Sequence, residues 1–430
     1  MKQLSEYEIR LHAIRIWDET RSYKRAMEAV QRSRGWLAKW LRRYRVDGAA
    51  GLQDRSRAPR HIRNRTAAGL VRKILALRDE LEAHTSRRAA FAGRGAETIH
   101  HELTLRGVRR LPALSTIEKI LARAGRTKKR KTPRCAAGPP YPYPPARRMG
   151  DVHQTALVGP RFLRGPQGVT RYYSFHTLDP VGQTASASQS PDKQTLSLCR
   201  HLVASWQVMG VPIISQMDNE MAASGGGRYR YSLSQVIRLH LLLGVHMVFI
   251  PRGEPGRNAG VESFNGLWQK RVLRHPCPDL RTLRRYSRRF MAYYHFQKPS
   301  RRLTRAEHDT RFPGLLRDRL WPTLQHLPEG FSLEAFRDAQ GRLAFPLAKG
   351  HVSYVRKVDG QGRIEFNGAS YYVGRALEHQ YVVATLSTHH RRVFITAEGR
   401  HVKSIPFPFV GQVVEPLLRA RKSSRCPYGS

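Results

Sequence analysis

Two carboxylates stand where phosphodiester chemistry could use them. Asp218 closes an apolar run, residues 212–217, that reads as a short buried strand; Asn219 and Glu220 follow it. Glu262 lies in the first turn of a helix read over residues 261–274. On that helix Val261, Phe264, Trp268 and Val272 share an inward face, while Glu262, Asn265 and Gln269 share another. Carboxylates from separate elements can hold hard divalent cations, which take oxygen ligands. Two such ions about 3.5–4 Å apart stabilise both the attacking and the leaving oxygen of a phosphodiester displacement. Each acid alone has a plainer use, as a turn cap at a strand end or as a partner of the helix dipole. His153, His240 and His275 form no ligand set by spacing. Cys135, Cys199, Cys277 and Cys426 are far apart with no CxxC pair, which argues against a disulfide framework or a cysteine zinc site.

The elements that must position these acids follow from periodicity. Strands are expected at residues 151–158, 171–178 and 182–189, then a helix at 193–209 and the strand ending at Asp218. A helix at 232–243, a strand at 245–250, a Gly-rich loop at 252–260 and the Glu262 helix come next. Three strands, helix, strand, helix, strand, helix is the order of a ribonuclease-H-like core. Helical pattern resumes over 280–296. Five short strands at 352–358, 363–366, 370–373, 381–386 and 392–396 follow, with Asp359-Gly360, Asn367-Gly368 and Glu398-Gly399 as turns. They predict a small β-barrel.

The chain carries 76 Lys+Arg against 32 Asp+Glu in 430 residues, a formal net charge of +44, with 40% hydrophobic residues. Such an excess calls for a polyanionic partner, and counterion release from phosphates makes nucleic acid the natural one. No apolar stretch approaches the ~20 residues of a membrane span, and the first residues lack the apolar segment of a secretory signal. Residues 5–60 read as a helix, a short second helix, a polar turn at Gln31-Arg32-Ser33 and a third helix with Trp36, Leu37, Trp40, Leu41 and Tyr44 on one face. Arg32, Arg34, Lys39, Arg42 and Arg43 surround that third helix, as a helix-turn-helix recognition helix requires. A second helical unit is read at 66–126, with a capping-box pattern at Ser115-Thr116-Ile117-Glu118. A basic run holding Lys128, Lys129, Arg130 and Lys131 then leads into a Pro- and Tyr-rich linker.

Gln216-Met217-Asp218-Asn219-Glu220, Val248-Phe249-Ile250-Pro251 and Arg257-Asn258-Ala259-Gly260-Val261-Glu262-Ser263-Phe264-Asn265 resemble the core signatures of integrase-type DDE transposases, the superfamily of retroviral integrases and many bacterial insertion-sequence transposases. Gly51-Leu52-Gln53-Asp54-Arg55-Ser56-Arg57-Ala58-Pro59 resembles the tail after the first helix-turn-helix of many of the bacterial enzymes. The resemblance implies two Asp and one Glu that bind two Mg²⁺ ions, with Mn²⁺ as a substitute, to nick donor DNA at the 3′ end and join it to target DNA. It implies double-stranded DNA as partner (terminal repeats and target), a homo-oligomer on that DNA, no membrane, and a place in the bacterial cytoplasm on the nucleoid; it leaves an ATPase helper open. DNA contacts are expected from Arg257, Asn258, Asn265, Lys270 and Arg271.

Two departures stand out. The span from Asp218 to Glu262 is longer than is common in the family, with the excess placed in the Gly- and Arg-rich stretch from Ala222 to Tyr231. The first Asp is expected in mid-strand, two residues after a Gln; in Gly150-Asp151-Val152-His153-Gln154-Thr155-Ala156 that place holds Ala156. Period-2 alternation puts Asp151 on the opposite face from position 156, so it is a poor substitute; Asp179, at a turn, reads as structural. The chain is thus expected to be a transposase inactive as written. Retention of Asp218 and Glu262 favours a deliberate single change over decay. The alternatives are a catalytically silent regulator of transposition, or a helix-turn-helix repressor that leaves the core motifs unexplained. The expected layout is multidomain: 1–62 helix-turn-helix, 63–126 second helical unit, 127–149 linker, 150–315 α/β ribonuclease-H-like core, 316–412 helical connection and β-barrel, and 413–430 mobile basic tail.

Overall fold

The computed structural model describes residues 5–55, 65–83, 90–127, 141–142, 146–219, 231–298, 324–409 and 411–419. Lys128, Lys129, Arg130 and Lys131, Glu220 and nearly all of the expected insertion lie outside these residues. The chain divides into two compact units, residues 1–67 and 68–430.

The first unit is three helices, α1 (Glu6–Thr20), α2 (Tyr23–Val30) and α3 (Arg34–Asp47). Each starts on a serine: Ser5, Ser22 and Ser33 accept from the backbone of the first turn, and Ser5 and Glu8 form a reciprocal capping box. Ala13, Ile14, Ala26, Leu37, Trp40, Leu41 and Leu52 make the core. Arg10 is buried there, its guanidinium 3.9 Å over the Trp40 ring and donating to Leu52 O at 2.8 Å.

In the second unit α4 (Ala68–Ala83), α5 (Ala96–Leu105) and α6 (Leu114–Arg123) come first. The Ser115–Glu118 pattern does not cap: α6 begins at Leu114, with Ala113 in the cap position and no side-chain cap bond. Strands β1 (Val152–Gly165), β2 (Gly168–Leu178) and β3 (Ala185–Ser190), helix α7 (Thr195–Met209), β4 (Ile214–Met217), α8 (Gln235–Leu242), β5 (His246–Phe249), α9 (Ala259–Val272) and α10 (Leu280–Phe296) follow. β2 lies antiparallel between β1 and β3, while β4 runs parallel to β1 and β5 parallel to β4. The order β3-β2-β1-β4-β5 is the expected ribonuclease-H-like arrangement.

The helices at 68–123 are not a free-standing unit. Ile74, Leu77, Ile99 and Ile117 share one buried cluster with Ala156, Val261, Trp268 and Phe290. Phe91 meets both His275 and Phe290 edge-on, and Arg271 donates to Ala92 O at 2.7 Å.

The expected small barrel is corrected. β6 (Leu347–Ala348), β7 (His351–Lys357), β8 (Arg363–Phe366), β9 (Ala369–Tyr372), β10 (Tyr381–Ser387), β11 (Arg392–Ala397), β12 (Arg400–Pro406) and β13 (Val413–Val414) form no closed sheet among the described residues. β7 instead pairs parallel with β5, Met247 opposite Val352 and Phe249 opposite Tyr354, and β10, β11 and β12 continue antiparallel from it. One nine-stranded sheet results, ordered β12-β11-β10-β7-β5-β4-β1-β2-β3. Val152, Ile214, Val248, Val355 and Val383 run as one buried row across β1, β4, β5, β7 and β10. The reason is the edge of β5: both its faces are buried, and an apolar strand with an unpaired ladder is better covered than left open. Val413 and Val414, expected in the tail, pair with Leu347 and Ala348, and Leu417 N donates to Leu242 O at 2.7 Å.

A separable barrel could be removed without harm; a sheet extension cannot. A chain ending at residue 323 is expected to lose the near-ultraviolet circular dichroism of its core and to bind a hydrophobic dye, because Met247, Phe249 and the α8 face then lose Val352, Tyr354 and Phe366 as neighbours. A soluble, rigidly packed product of that truncation would overturn the continuous-sheet description.

Candidate active site

Register brings the two key positions together. Gln154 pairs with Gln216 and Thr155 with Met217 across the parallel β1–β4 ladder, and the next residues along the two strands are Ala156 and Asp218. Residues two apart share a face, so Gln154 and Ala156 look the same way as Gln216 and Asp218. That face is covered by α9: Ala156, 1% exposed, packs in one cluster with Val261 and Phe264.

Both glutamines hold the turn that carries Glu262. Gln154 Oε1 accepts from Val261 N at 3.1 Å, and Gln216 Nε2 donates to Arg257 O at 2.8 Å and Asn258 Oδ1 at 3.2 Å. Asn258, 1% exposed, donates to Thr155 O at 3.0 Å. A Cβ at Gly260 would lie 2.4 Å from Gln154 Oε1, so a side chain there would push that amide away from Val261 N. The first turn of α9, whose N–H groups need partners from outside the helix, is thus fastened to the residues two before Ala156 and two before Asp218.

Asp218, Asn219, Glu254, Asn258 and Glu262 line one cleft of about 540 Å³. Burial pushes the Glu262 carboxyl above its ordinary range, the Asn265 hydrogen bond at 3.3 Å pulls it back, and the charge of Asp218 raises it further. The Asp218 charge is thus felt at Glu262. Among the described residues no three His, Cys, Asp or Glu side chains are grouped to hold a metal ion. Of the three carboxylates that line the cleft, that of Glu254 is taken up by Tyr381 and Arg257, and Ala156 offers no oxygen. Asp151 does not step in. Its carboxylate accepts from Arg147 N and Arg148 N, and it sits five residues back along β1, about 16 Å from position 156. Asp179 is buried and accepts from Gly150, Val181 and Gly182 N, a structural turn as expected.

The sequence reading missed the residues that arrive from the C-terminal strands. Arg356 on β7 donates to Asn219 Oδ1 at 2.6 Å, to Glu365 O at 2.7 Å and to Ile250 O at 3.3 Å, and Asn219 donates to Ile250 O at 2.7 Å. It thereby holds the residue next to Asp218. Tyr381 on β10 donates to the Glu254 carboxylate at 2.7 Å and accepts from Arg257 at 3.0 Å, which bridges the Gly-rich loop to the sheet extension. No local motif marks Arg356 or Tyr381; only the pairing of β7 with β5 brings them here.

Several side chains expected on DNA are engaged inside the protein. Arg257 pairs with Glu254 and stacks on Tyr141 and Tyr381; Asn258 is the buried tether described above. Asn265, 3% exposed, bonds His176 Nδ1 at 2.6 Å and Glu262. Arg271 fastens α9 to Ala92 O. Of this group Lys270 alone is exposed. On the first unit Arg34, Lys39 and Arg42 are exposed, while Arg32 pairs with Glu6 at 2.9 Å and Arg43 donates to Gln53 O at 2.7 Å.

Residues 10–69 match the winged helix-turn-helix family. That match takes in most of α1, all of α2 and α3, and the first two residues of α4. The chain is similar to solved structures at low identity. One is the HTLV-2 integrase catalytic core domain in complex with magnesium, in its dimeric form, at 13% identity, covering 37% of this chain and 95% of that chain with a TM-score of 0.27. Another is a chain of the simian T-cell lymphotropic virus intasome in complex with PP2A regulatory subunit B56 gamma, at 15% identity, covering 71% of this chain and 91% of that chain with a TM-score of 0.30.

Within the winged helix-turn-helix unit, Arg34 opens α3 beside Gly35, around which there is open space. Arg34→Ala is expected to reduce the preference for the favoured duplex by about 1–3 kcal/mol, as for a lost base-edge contact. Specific and non-specific affinities at one fixed salt concentration measure it; an equal loss on every sequence would make Arg34 a phosphate contact instead.

Proposed function

We propose that this chain is an integrase-type DNA transposase, a polynucleotidyl transferase that binds element ends through its winged helix-turn-helix unit and is silenced at position 156. The observation that carries the reading is the cleft lined by both Asp218 and Glu262, with the β1–β4 ladder running to Thr155 and Met217, one residue short of Ala156 and Asp218. An Asp at 156 would make three carboxylates from three elements converge, a donor set of hard oxygens suited to Mg²⁺ or Mn²⁺. Bound there, such ions supply charge stabilisation for 3′-end nicking and strand transfer. With Ala156 the side chains present fit a carboxylate pair only. What the chain itself supplies is positioning: Gln154, Gln216 and Asn258 set Glu262 against the strand ends, and Arg356 and Asn219 steady the turn after Asp218.

DNA grip by Lys and Arg needs no metal. The chain as it stands should bind element ends equally in Mg²⁺ and in chelator and yield no nicked product, whereas the Ala156→Asp chain nicks and joins. Two ends must be joined in concert, so several copies act together on DNA. Mixing a chain deficient in end binding with one deficient in the core tests this, because joining by the mixture requires action in trans. A silent regulator is the second reading, favoured by Ala156 itself; an Ala156→Asp chain that binds ends but never nicks would select it.

A further inference from the structure

Pairing of β1 with β4 stops at Thr155 and Met217, but β1 runs on to Gly165 and stays paired with β2 to Gly168. Past the register shift between Val158 and Arg161 these strands form a two-stranded ribbon leaving the sheet at the end that carries Asp218. Its inner face is anchored. Leu163 is buried, and a Cβ on Gly165 would lie 2.3 Å from Pro278 O. Its outer face is bare: Phe162 stands opposite Arg171 and Arg164 opposite Val169, with Phe162 61% and Val169 66% exposed. Arg171 lies 5.8 Å over the Tyr173 ring, and neither it nor Arg164 is in an ion pair with a carboxylate among the described residues.

We propose that this ribbon is a second duplex-DNA contact, separate from α3, with Arg164 and Arg171 on phosphates and Phe162 laid against the groove. The inference rests on the reading of the chain as a DNA-acting enzyme and names where that DNA touches the second unit. Charge selects the partner: two unpaired guanidiniums flank two exposed apolar side chains, in a chain with a formal charge of +44. Shape agrees, since the major groove admits a two-stranded β-ribbon. Place agrees too. Phe162 lies six residues beyond Ala156, about 20 Å along the strand, so DNA led across the cleft passes the ribbon. The outer face is turned away from α9, and the ribbon therefore holds duplex flanking the stretch in the cleft.

The test uses the full chain with the photoreactive p-benzoylphenylalanine at position 162, irradiated with a labelled linear duplex. A covalent protein–DNA adduct is expected. A protein–protein adduct in its place would make the ribbon a contact between copies, and no adduct would remove it from any interface; either result overturns the proposal. In parallel, the Arg164→Ser/Arg171→Ser double variant should keep its circular dichroism while the slope of log K against log salt shrinks by about 2, one unit per lost phosphate contact. An unchanged slope overturns it as well. Neither readout needs catalysis. An Ala156→Asp chain that never joins DNA would retire the transposase reading and leave the ribbon adduct standing; joining without the adduct would do the reverse.

Discussion

Ala156→Asp is expected to raise magnesium-dependent nicking and joining by at least about a thousandfold over the chain as it stands, ~4 kcal/mol in the barrier. The size follows from what alanine removes. Position 156 follows the last residue of β1 paired with β4 and lies beneath α9, so a carboxylate there would be a third ligand, beside Asp218 and Glu262, for ions that would stabilise both the attacking and the leaving oxygen. End binding should stay the same, because guanidinium and ammonium contacts to phosphate are untouched. Asp218→Asn or Glu262→Gln in the Ala156→Asp background should return activity to the starting level. Thermal melts separate binding from chemistry: added Mg²⁺ should raise the melting temperature of the Ala156→Asp chain clearly more than that of the original, since a ligand that binds only the folded state stabilises it. Vigorous nicking by the Ala156 chain would sink this account.

Acid should unfold the second unit near pH 5. Burial pushes His153, His201 and His246 down to about 3, and His176 and His240 down to about 4. All five are neutral in the folded chain at pH 7. The unfolded chain takes up protons below the ordinary histidine value of about 6.5, whereas the folded chain cannot until about 3 to 4. Stability is therefore full above pH 6.5 and is lost as the pH falls. By pH 5 each histidine costs about 2 kcal/mol, and five together cost about 10 kcal/mol, comparable with the whole stability of an ordinary fold. Circular dichroism along a pH series should show a cooperative loss between pH 6 and 4.5. His201→Gln, which keeps a hydrogen-bonding side chain between Thr177 and Ser188, should move the midpoint to lower pH. A flat signal down to pH 4 would mean these rings are reached by water.

The core strands and helices were legible because burial on known faces leaves period-2 and period-3.6 patterns; α9 and β4 stand where the apolar residues place them. Asp218 and Glu262, picked out by type and position, line one cleft. The failures share one cause. A pattern of short strands with Gly turns states that faces are buried, not which edge pairs with which, so β7 could be assigned to a barrel when its partner is β5. Likewise an Arg or Asn in a basic motif says nothing of a neighbour far away in sequence. Arg271 meets Ala92, Asn258 meets Thr155 and Arg257 meets Tyr381, and each contact turns an expected DNA ligand into a brace.

The parallel pairing of β5 with β7 also sets a clock. Met247 and its partner Val352 are separated by about 100 residues, which a ribosome adding about 5–20 residues per second takes about 5–20 s to complete. Arg356, which fixes Asn219 beside Asp218, arrives later still. During synthesis, the first unit can fold on local contacts while the cleft has no finished wall. A nascent chain of this kind can therefore complete its N-terminal helices well before Asn219 meets the guanidinium that fixes it.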